Sequence, residues 1–491
     1  MNAFLAGSVP ILTCDAARAC EKKLFANDEA REWPAMQRAG RAIAAAVWRD
    51  FQEIGGFPPD GRVVVLAGKG HNGGDALIAA RTLLGIFPQA RVEIIFAFGE
   101  RALRPLAQRA WRELAQAGGV RVASGGGSYD LCLDGVFGFQ FHPPVEPRVA
   151  KLIATVNALP IRLRAAIDLP SAGLFHADFT YATGCVKTPV VGAVEAGRVR
   201  YLDLEFFGAN EAGRDRVLTA QVLAPLTALR PALGDKRTYG HVFVIAGSRN
   251  FPGAALMAVR SALRSGVGLV TAFVPESFVP AFAAAAPEAM WVGWPETAGG
   301  GLALEGLHLL RERLDRATAL LLGPGLGREP ETLALLATIV KASRLPLVID
   351  ADALQPEIVR AGHAPRVLTP HAGEFARIAG GAELRKFAAK AKSAVVLKGP
   401  VTKITDGAAT YHSFFGGPVL ARGGSGDLLA GLIGGLLAQT PREPLLAAAR
   451  GVVWHGRAAD ALARAHGHTA VQVTQLLDFL APALLDTANE R

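Results

Sequence analysis

Short apolar runs rich in β-branched residues alternate with helical patterns along almost the whole of this 491-residue chain. A helix between two strands allows them to pair in parallel, so this alternation predicts an α/β fold with largely parallel sheets. In the first half, the predicted strands are Val63–Ala67, Val92–Phe98, Asp130–Asp134, Ala165–Asp168, Thr180–Val186 and Val199–Leu204. In the second half, they are His241–Ala246, Leu269–Phe273, Ala319–Leu322, Leu347–Asp350, Val367–Thr369 and Val395–Lys398.

The alternation is interrupted at Leu223–Arg237, "LAPLTALRPALGDKR", which contains two prolines and a glycine and has no sustained periodicity. The chain is also too long for one hydrophobic core. We therefore predict two domains, residues 1–222 and 238–491, joined by a linker at residues 223–237.

The composition narrows the class of protein. The formal net charge is +9, which favours anionic ligands such as nucleotides. The sequence contains no dense basic tract with interleaved aromatic residues, so we do not expect it to bind nucleic acid. The apolar runs are shorter than a membrane span, and no signal peptide is recognisable. Four cysteines without a C-x-x-C pair suit a reducing compartment, so we expect a cytoplasmic protein.

The most explicit chemistry lies in "ARGGSGDLLAGLIGGLLA", Ala421–Ala438. Four residues rich in glycine precede a long apolar helix, so free backbone N–H groups and the helix dipole would form a hole for a phosphate. These residues are Gly423, Gly424, Ser425 and Gly426. Asp427 follows in the first turn, where a carboxylate could take a proton from a substrate hydroxyl. A helix-stabilising charge is the simpler alternative.

Three other loops follow predicted strands of the same half. "VLKGPVT" offers Lys398 as a cation and Thr402 as a hydroxyl, although Lys398 could equally be a surface lysine in a turn. "GPGLG", Gly323–Gly327, lets a ligand approach the backbone. "TPHAGEF" places His371 at a helix entrance, either as a polar substrate contact or as a helix cap.

These segments, with "YGHVFVIAGSRNFPGAALMAVRSALRSGVGLVT" and "VIDADAL", resemble the ribokinase-like NAD(P)H-hydrate dehydratase family over residues 235–491. The resemblance implies a ribokinase-like αβα domain that uses ADP or ATP, with Mg²⁺, to dehydrate (6S)-hydrated NADH or NADPH. It makes Asp427 the base. The implied nucleotide-binding residues are Lys398, Gly399, Pro400, Val401, Thr402 and the glycine-rich turn Gly423–Gly426. The implied contacts to the hydrated cofactor are Ala254, Ala255, Gly325, His371 and Asp427.

In the first half, "VVVLAGKGHNGGDALIAAR" reproduces the G-x-G-x-x-G fingerprint of dinucleotide-binding proteins at Gly68, Gly70 and Gly73. However, Asp75 would lie in the first turn of the following helix and repel a pyrophosphate there. Asn72 and Asp75 could instead bind sugar hydroxyls, an amide or a hard cation through oxygen. Asp134 and Asp168 end two further strands, and such strand ends converge on the ligand crevice of a parallel sheet.

The segments "AMQRAG", "GKGHNGGDALIAAR", "LDGVFG", "AIDLPSAG" and "ADFTYATGCVK" resemble the NAD(P)H-hydrate epimerase domain over residues 10–215. The resemblance implies a Rossmann-like three-layer αβα sandwich that interconverts the R and S hydrates and binds K⁺. The implied K⁺ ligands are Asn72, Asp134 and Ser171. The implied substrate-binding residues are His71, Asn72, Gly73, Gly74, Asp75, Gly138 and Asp168.

Two alternatives stay open at this stage. A small-molecule kinase of the ribokinase type would share the glycine-rich turn and Asp427. The first half could also be a binding domain without epimerase activity, because it reads His71-Asn72, Ala76 and "FGFQ" where the epimerase family has two asparagines, a glycine and "FGTG". We expect a bifunctional repair enzyme that forms a homo-oligomer and acts on neither nucleic acid nor membranes.

Overall fold

The computed structural model describes residues 4–123, 126–207 and 213–489. The chain forms two compact units. The N-terminal unit comprises Val9–Gly213 and Ala463–His468, and the C-terminal unit comprises Met1–Ser8, Arg214–Leu462 and Thr469–Arg491.

The first part of the chain contains nine strands and five α-helices among the described residues. The strands are β1 (Ser8–Leu12), β2 (Arg62–Ala67), β3 (Arg91–Phe96), β4 (Val120–Val122), β5 (Tyr129–Gly135), β6 (Ile161–Ile167), β7 (Phe179–Thr183), β8 (Val186–Lys187) and β9 (Arg198–Leu202). The helices are α1 (Cys14–Phe25), α2 (Glu29–Phe51), α3 (His71–Ile86), α4 (Pro105–Ala115) and α5 (Pro147–Asn157).

Seven strands of the N-terminal unit form a parallel sheet in the order β4-β3-β2-β5-β6-β7-β9. Strand β2 is buried on both faces. Val63 and Val65 pack on one side in a cluster with Leu77 of α3, whereas Val64 and Leu66 pack on the other in a cluster with Ile153 of α5. This alternation is why a continuous apolar run becomes the middle layer of an αβα sandwich.

The remaining strands and α-helices lie in the C-terminal unit, except that the last four residues of α14, 463–466, belong to the N-terminal unit. The strands are β10 (Asp215–Leu218), β11 (His241–Ile245), β12 (Leu269–Pro275), β13 (Met290–Trp294), β14 (Ala319–Leu322), β15 (Leu347–Ile349), β16 (Arg366–Leu368), β17 (Ala394–Leu397), β18 (Thr402–Thr405) and β19 (Thr410–Ser413). The helices are α6 (Pro252–Arg264), α7 (Val279–Ala285), α8 (Leu307–Arg311), α9 (Pro330–Ala342), α10 (Pro356–Val359), α11 (Ala372–Ala379), α12 (Leu384–Ala391), α13 (Ser425–Gln439), α14 (Pro444–His466) and α15 (Leu476–Asn489).

Its strands form a sheet in the order β13-β12-β11-β14-β15-β16-β17-β18-β19-β10, which is parallel except at β17–β18 and β18–β19. Phe243 of β11 belongs to the core cluster that includes Leu335 of α9 on one face. On the other face, a Cβ atom on Gly431 of α13 would lie 2.1 Å from the carbonyl oxygen of Ala258 in α6. Glycine at this position therefore lets the two helices pack backbone to backbone.

Two predictions about boundaries need correction. The division between the units falls at Gly213 and Arg214, before the predicted linker. Residues 214–222 belong to the C-terminal unit because β10 pairs with β19 in that sheet. The four-residue strand "DRVL" is too short to be recognised from its pattern. The predicted strand Thr180–Val186 is also divided, because Gly184 has a φ of +69° between β7 and β8.

Among the residues that the structure describes, no helix is long and apolar enough to cross a membrane.

Candidate active sites

The strand order of the N-terminal sheet reverses between β2 and β5. Strands β3 and β4 are added on one side of β2, and β5 and the strands after it are added on the other. Ligands of open α/β sheets bind beyond the strand carboxyl ends at such a point. A cavity of about 400 Å³ lies here, and a neighbouring cavity of about 450 Å³ shares several of its lining residues. The shared residues are Glu21, His71, Asp75, Arg104, Gln140 and Thr183.

The predicted K⁺ ligands form one hydrogen-bonded network beside this cavity. The hydroxyl of Ser171 donates to Oδ1 of Asp134 at 2.6 Å, and the backbone N–H of Ser171 donates to Oδ2 at 2.8 Å. The side-chain amide of Asn72 donates to the carbonyl oxygens of Ile167 at 2.8 Å and Phe137 at 3.3 Å. Ser171 Oγ accepts from Phe137 N–H at 2.9 Å, which links the two halves of the network.

Asp134 is fully buried, and its hydrogen-bond donors are the neutral groups of Ser171 and Val136. Burial raises the pKa of Asp134 to about 6 in spite of these hydrogen bonds. A cation would stabilise the ionised carboxylate. Carboxylate, hydroxyl, amide and carbonyl oxygens are the donors that hard cations prefer, so the residues present fit an alkali-metal ion.

Asp75 and Asp168 meet in the same cavity. Asp75 Oδ1 and Asp168 Oδ2 are buried and find no hydrogen-bond partner among the described residues. Burial, with Asp168 and Glu21 nearby, raises the pKa of Asp75 well above its usual range. Asp168 has a φ of +67° and pairs with the buried ammonium group of Lys187. Burial alone would lower the pKa of Lys187, but the carboxylate of Asp168 keeps it above its usual range.

Helix α3 begins earlier than the sequence predicts. It starts at His71 with Gly70 as the N-cap, so Asp75 lies beyond the first turn and the prediction of a first-turn carboxylate was wrong. A Cβ atom on Gly73 would lie 2.1 Å from the carbonyl oxygen of Gly68, and one on Gly74 would lie 2.3 Å from Met36 Cε. Both glycines are buried, and they permit close packing of the helix.

The other predicted epimerase residues border the cavity. His71 is exposed, and its Nε2 lies 3.3 Å from a carboxylate oxygen of Glu32. A Cβ atom on Gly138 would lie 2.5 Å from Asn72 Oδ1, so glycine lets this loop approach the network of Asn72. The sequence reasoning missed Glu21 and Lys187, which also line the cavity. Lys187 lies within the quoted "ADFTYATGCVK" segment, but Glu21 belongs to a helix with no recognisable motif.

The C-terminal unit brings the predicted base and the predicted lysine together. Lys398 Nζ donates to Asp350 Oδ1 at 2.9 Å and lies 3.9 Å from Glu374 Oε2. A Cβ atom on Gly426 would lie 3.3 Å from the same Nζ, so the ammonium group faces the first turn of α13. Burial and the carboxylate of Asp350 raise the pKa of Asp427 to about 7, although Lys398 opposes this shift.

The glycine-rich turn precedes α13 as predicted. Gly424 is the N-cap with a φ of +90°, and a Cβ atom there would lie 2.6 Å from Met257 Sδ in α6. Gly423 lies at the surface, Ser425 is buried, and the side chain of Arg422 donates to the carbonyl oxygen of Thr469 at 3.0 Å. The free N–H groups of this turn are available to an anion.

The remaining predicted nucleotide residues form the turn of an antiparallel hairpin. Lys398, Gly399, Pro400 and Val401 connect β17 to Thr402, the first residue of β18. Gly399 and Pro400 are exposed. The hairpin lies near His371, because Lys398 N–H donates to the carbonyl oxygen of Pro370 at 2.8 Å.

Apart from Asp427, the predicted contacts to the hydrated cofactor lie in α6 and in the loops that follow β14 and β16. A Cβ atom on Gly325 would lie 2.8 Å from Ala254 Cβ, so these two predicted residues are in contact. Ala255 is fully buried one position later. His371 is the N-cap of α11: its Nδ1 accepts from Gly373 N–H at 3.0 Å, while Glu374 closes a capping box. The helix-cap role is therefore present, and the substrate contact stays a prediction.

Comparisons with known proteins match both units. The sequence model of the NAD(P)H-hydrate dehydratase family matches residues 242–482, and that of the YjeF-related protein N-terminus matches residues 34–193. A bifunctional NAD(P)H-hydrate repair enzyme from Moorella thermoacetica is 33% identical over 500 residues, covering 93% of each chain. One from Gloeobacter violaceus is 36% identical, covering 91% of this chain and 93% of the relative.

The chain belongs to the bifunctional NAD(P)H-hydrate repair enzyme family.

A solved ribokinase-like superfamily protein from Enterococcus faecalis is 28% identical, with a TM-score of 0.50, and covers 56% of this chain and 98% of its own. The predictions of the repair-enzyme family and of an α/β fold with a ribokinase-like C-terminal unit are thus confirmed. The individual site residues, the K⁺ ion, the homo-oligomer and the cytoplasmic location stay predictions. Within the described parts of the chain, no group of three or more His, Cys, Asp or Glu side chains is placed to hold a metal ion.

Proposed function

We propose that the C-terminal unit dehydrates the (6S)-hydrates of NADH and NADPH with ADP or ATP, and that the N-terminal unit interconverts the R and S hydrates. The observation that carries the first activity is the cluster of Asp427, Lys398 and the glycine-rich turn at the start of α13. The cavity at the β2–β5 switch point supports the second activity. Membership of the repair-enzyme family supports both.

In the dehydration, the turn Gly423–Gly426 and the ammonium group of Lys398 would hold the transferred phosphoryl group. Asp427 takes the proton of the ring hydroxyl as its oxygen bonds to phosphorus and the nucleotide leaves. The phosphate then departs from C6 with the electron pair of the C–O bond, and loss of a proton from C5 restores the dihydropyridine. A pKa of about 7 makes Asp427 an effective proton acceptor at neutral pH.

We also propose that the N-terminal unit binds K⁺ through Asn72, Asp134 and Ser171. The support is a fully buried carboxylate whose donors are neutral, within a cluster of oxygen atoms. When bound, the ion would supply positive charge close to the substrate cavity. Asn72, Phe137 and Gly138 connect this network to the cavity wall.

The test is recovery of reduced-nicotinamide absorbance. Purified protein should restore the absorbance of NADH from its S-hydrate when ADP or ATP is present, and from the R-hydrate after conversion to S. Failure with both nucleotides would overturn the dehydratase proposal. In an epimer mixture, the S fraction should recover first and the R fraction should follow. If the R fraction converts no faster than it does spontaneously, the epimerase proposal is overturned and a binding role for the N-terminal unit is favoured. Phosphorylation of an unrelated small alcohol would favour the kinase alternative.

A further inference from the structure

The cavity of the N-terminal unit contains a titratable side chain that no motif marks. Glu21 lines both the 400 Å³ cavity and its 450 Å³ neighbour. It lies on α1, and the 400 Å³ cavity is also lined by Asp75 of α3 and by Asp168, which follows β6. We propose that Glu21 is a proton-transfer residue of the epimerase, working with Asp75 on the two faces of the hydrated ring.

The packing of α1 directs Glu21 toward the reacting groups. Ala17 is buried in a cluster with Phe139 and Cys185, and Lys187 lies 5.1 Å from the centre of the Phe139 ring. Residues four apart share one face of a helix, so Glu21 lies on the same face as Ala17, one turn further along. The charge of Glu21 accordingly interacts with Lys187 and Asp168.

The charges in the cavity require that protons be shared. Three carboxyl groups, those of Glu21, Asp75 and Asp168, interact with the buried ammonium group of Lys187. Lys69 and Arg104 also line the cavity. Asp168 is paired with Lys187, so a second and third negative charge in the same buried space are disfavoured. Burial raises the pKa of Glu21 to about 7, and it raises the pKa of Asp75 well above its usual range. The site thus holds a protonated acid and a group that can act as a base.

Unpartnered atoms indicate that a ligand completes this site. Asp75 and Asp168 are each more than nine-tenths buried, yet Asp75 Oδ1 and Asp168 Oδ2 find no hydrogen-bond partner among the described residues. Unpaired buried polar atoms cost free energy, so they are expected to bind substrate groups or water. Both aspartates line the cavity that Glu21 also borders.

The inference rests on the proposed epimerase function and adds a mechanism to it. The hydrate carries its hydroxyl on C6, next to the ring nitrogen N1. Protonation of that hydroxyl by Asp75 lets the C6–O bond break as the N1 electron pair forms a C=N bond, and water leaves. A second water adds to C6 from the other face and gives its proton to the Glu21 carboxylate. One water leaves and one enters, so the product is the epimer, and the two residues exchange roles in the reverse direction.

The experiment compares Glu21→Gln with Asp15→Asn, a carboxyl on the same helix whose side chain is 91% exposed. With purified R-hydrate and ADP or ATP, absorbance recovers only after conversion to S. Glu21→Gln should slow this conversion by about 100-fold or more, as loss of a general acid–base does. Asp15→Asn should match the wild type, and both variants should dehydrate the S-hydrate normally. Formate should restore conversion to Glu21→Ala, which leaves space for a small carboxylate.

The outcomes separate this inference from the proposed function. If the wild type itself does not convert R to S, the epimerase proposal fails and the role of Glu21 fails with it. If the wild type converts the R-hydrate and Glu21→Gln does so at a similar rate, only the assignment of Glu21 is overturned. An inactive Glu21→Ala that folds but is not rescued by formate would make Glu21 structural, as would loss of the N-terminal unit's cooperative unfolding in Glu21→Gln.

Discussion

Lys398 Nζ lies 2.9 Å from Asp350 Oδ1, and the same carboxylate oxygen accepts from Thr369 Oγ1 at 2.7 Å. Asp350 is almost completely buried, so it fixes the lysine at the start of α13. The ammonium group also interacts with the carboxyl groups of Glu374 and Asp427, so its one positive charge is shared among three carboxyl groups. As a consequence, Asp427 keeps a raised pKa and remains able to accept a proton, while the lysine stays available to a phosphate.

Dehydration should therefore depend on the ionisation of Asp427. Burial and Asp350 raise its pKa from an ordinary 3.8 to about 7. Because the base must be ionised, the rate should rise with pH and reach half its maximum near pH 7. Asp427→Asn should lower the maximal rate, reached above pH 7, by at least about 100-fold and should remove this pH dependence. Single-turnover absorbance recovery from the S-hydrate measures both. A flat pH profile of the wild type would contradict the assignment.

Asp427→Asn should also change how stability depends on pH. The folded state binds the Asp427 proton more tightly than the unfolded state does, so this carboxyl favours folding below its unfolded pKa, and that contribution is lost as pH rises through about 7. The asparagine variant lacks this titration. In urea unfolding of the C-terminal unit, it should be more stable than the wild type above pH 7. Equal stability of the two proteins there would be the contrary result.

The pair of Lys398 and Asp350 can be tested by a double-mutant cycle. Lys398→Met should lower the free energy of unfolding of the C-terminal unit by about 3 kcal/mol, because it leaves the buried Asp350 without its cation. Adding Asp350→Asn should recover most of that loss. The double variant should still bind nucleotide poorly, since the ammonium group is missing. Additive losses of stability in urea titrations would show that the two residues act independently.

Much of the fold can be predicted from the sequence, because parallel strands that are buried on both faces have continuous apolar sequences. Val63–Ala67 and Ala319–Leu322 lie within observed strands. Strands that carry fewer apolar residues were missed. β10, β18 and β19 are four residues each, and they are held by pairing with one another and with β17 rather than by local pattern.

The sites divide in a similar way. Asp427 follows a glycine-rich turn at the start of a helix, and Asp134 lies at the end of a strand before a loop. Backbone groups are exposed to ligands at such positions, so both residues can be recognised from the sequence. Asp350 lies in the quoted segment "VIDADAL" and Glu21 lies in no motif, but the role of neither residue follows from the sequence, because each depends on a distant residue. Lys398 lies 48 positions from Asp350, and Lys187 is remote from Glu21 in the sequence. Side-chain proximity of this kind depends on tertiary packing, which a local motif does not encode.

The glycines that begin α3 should differ in what they tolerate. A Cβ atom on Gly73 would lie 2.1 Å from the carbonyl oxygen of Gly68, whereas one on Gly70 meets its nearest neighbour, the Arg104 guanidinium, at 3.9 Å. Gly73→Ala should therefore lower the free energy of unfolding of the N-terminal unit by about 2 kcal/mol. Gly70→Ala is the matched control and should leave it almost unchanged. Similar losses in both, by urea denaturation, would mean that the packing argument is wrong.

Potassium should stabilise the N-terminal unit through Asp134. An ion that binds only the folded state, and is present at a concentration of about 100 times its Kd, adds about 2.7 kcal/mol to the free energy of unfolding. Thermal unfolding in KCl should therefore occur at a higher temperature than in choline chloride of the same ionic strength. Asp134→Asn keeps the size of the side chain and one oxygen acceptor for Ser171 but removes the charge, so the difference between the salts should disappear. A shift of equal size in the wild type and the variant would place the ion elsewhere.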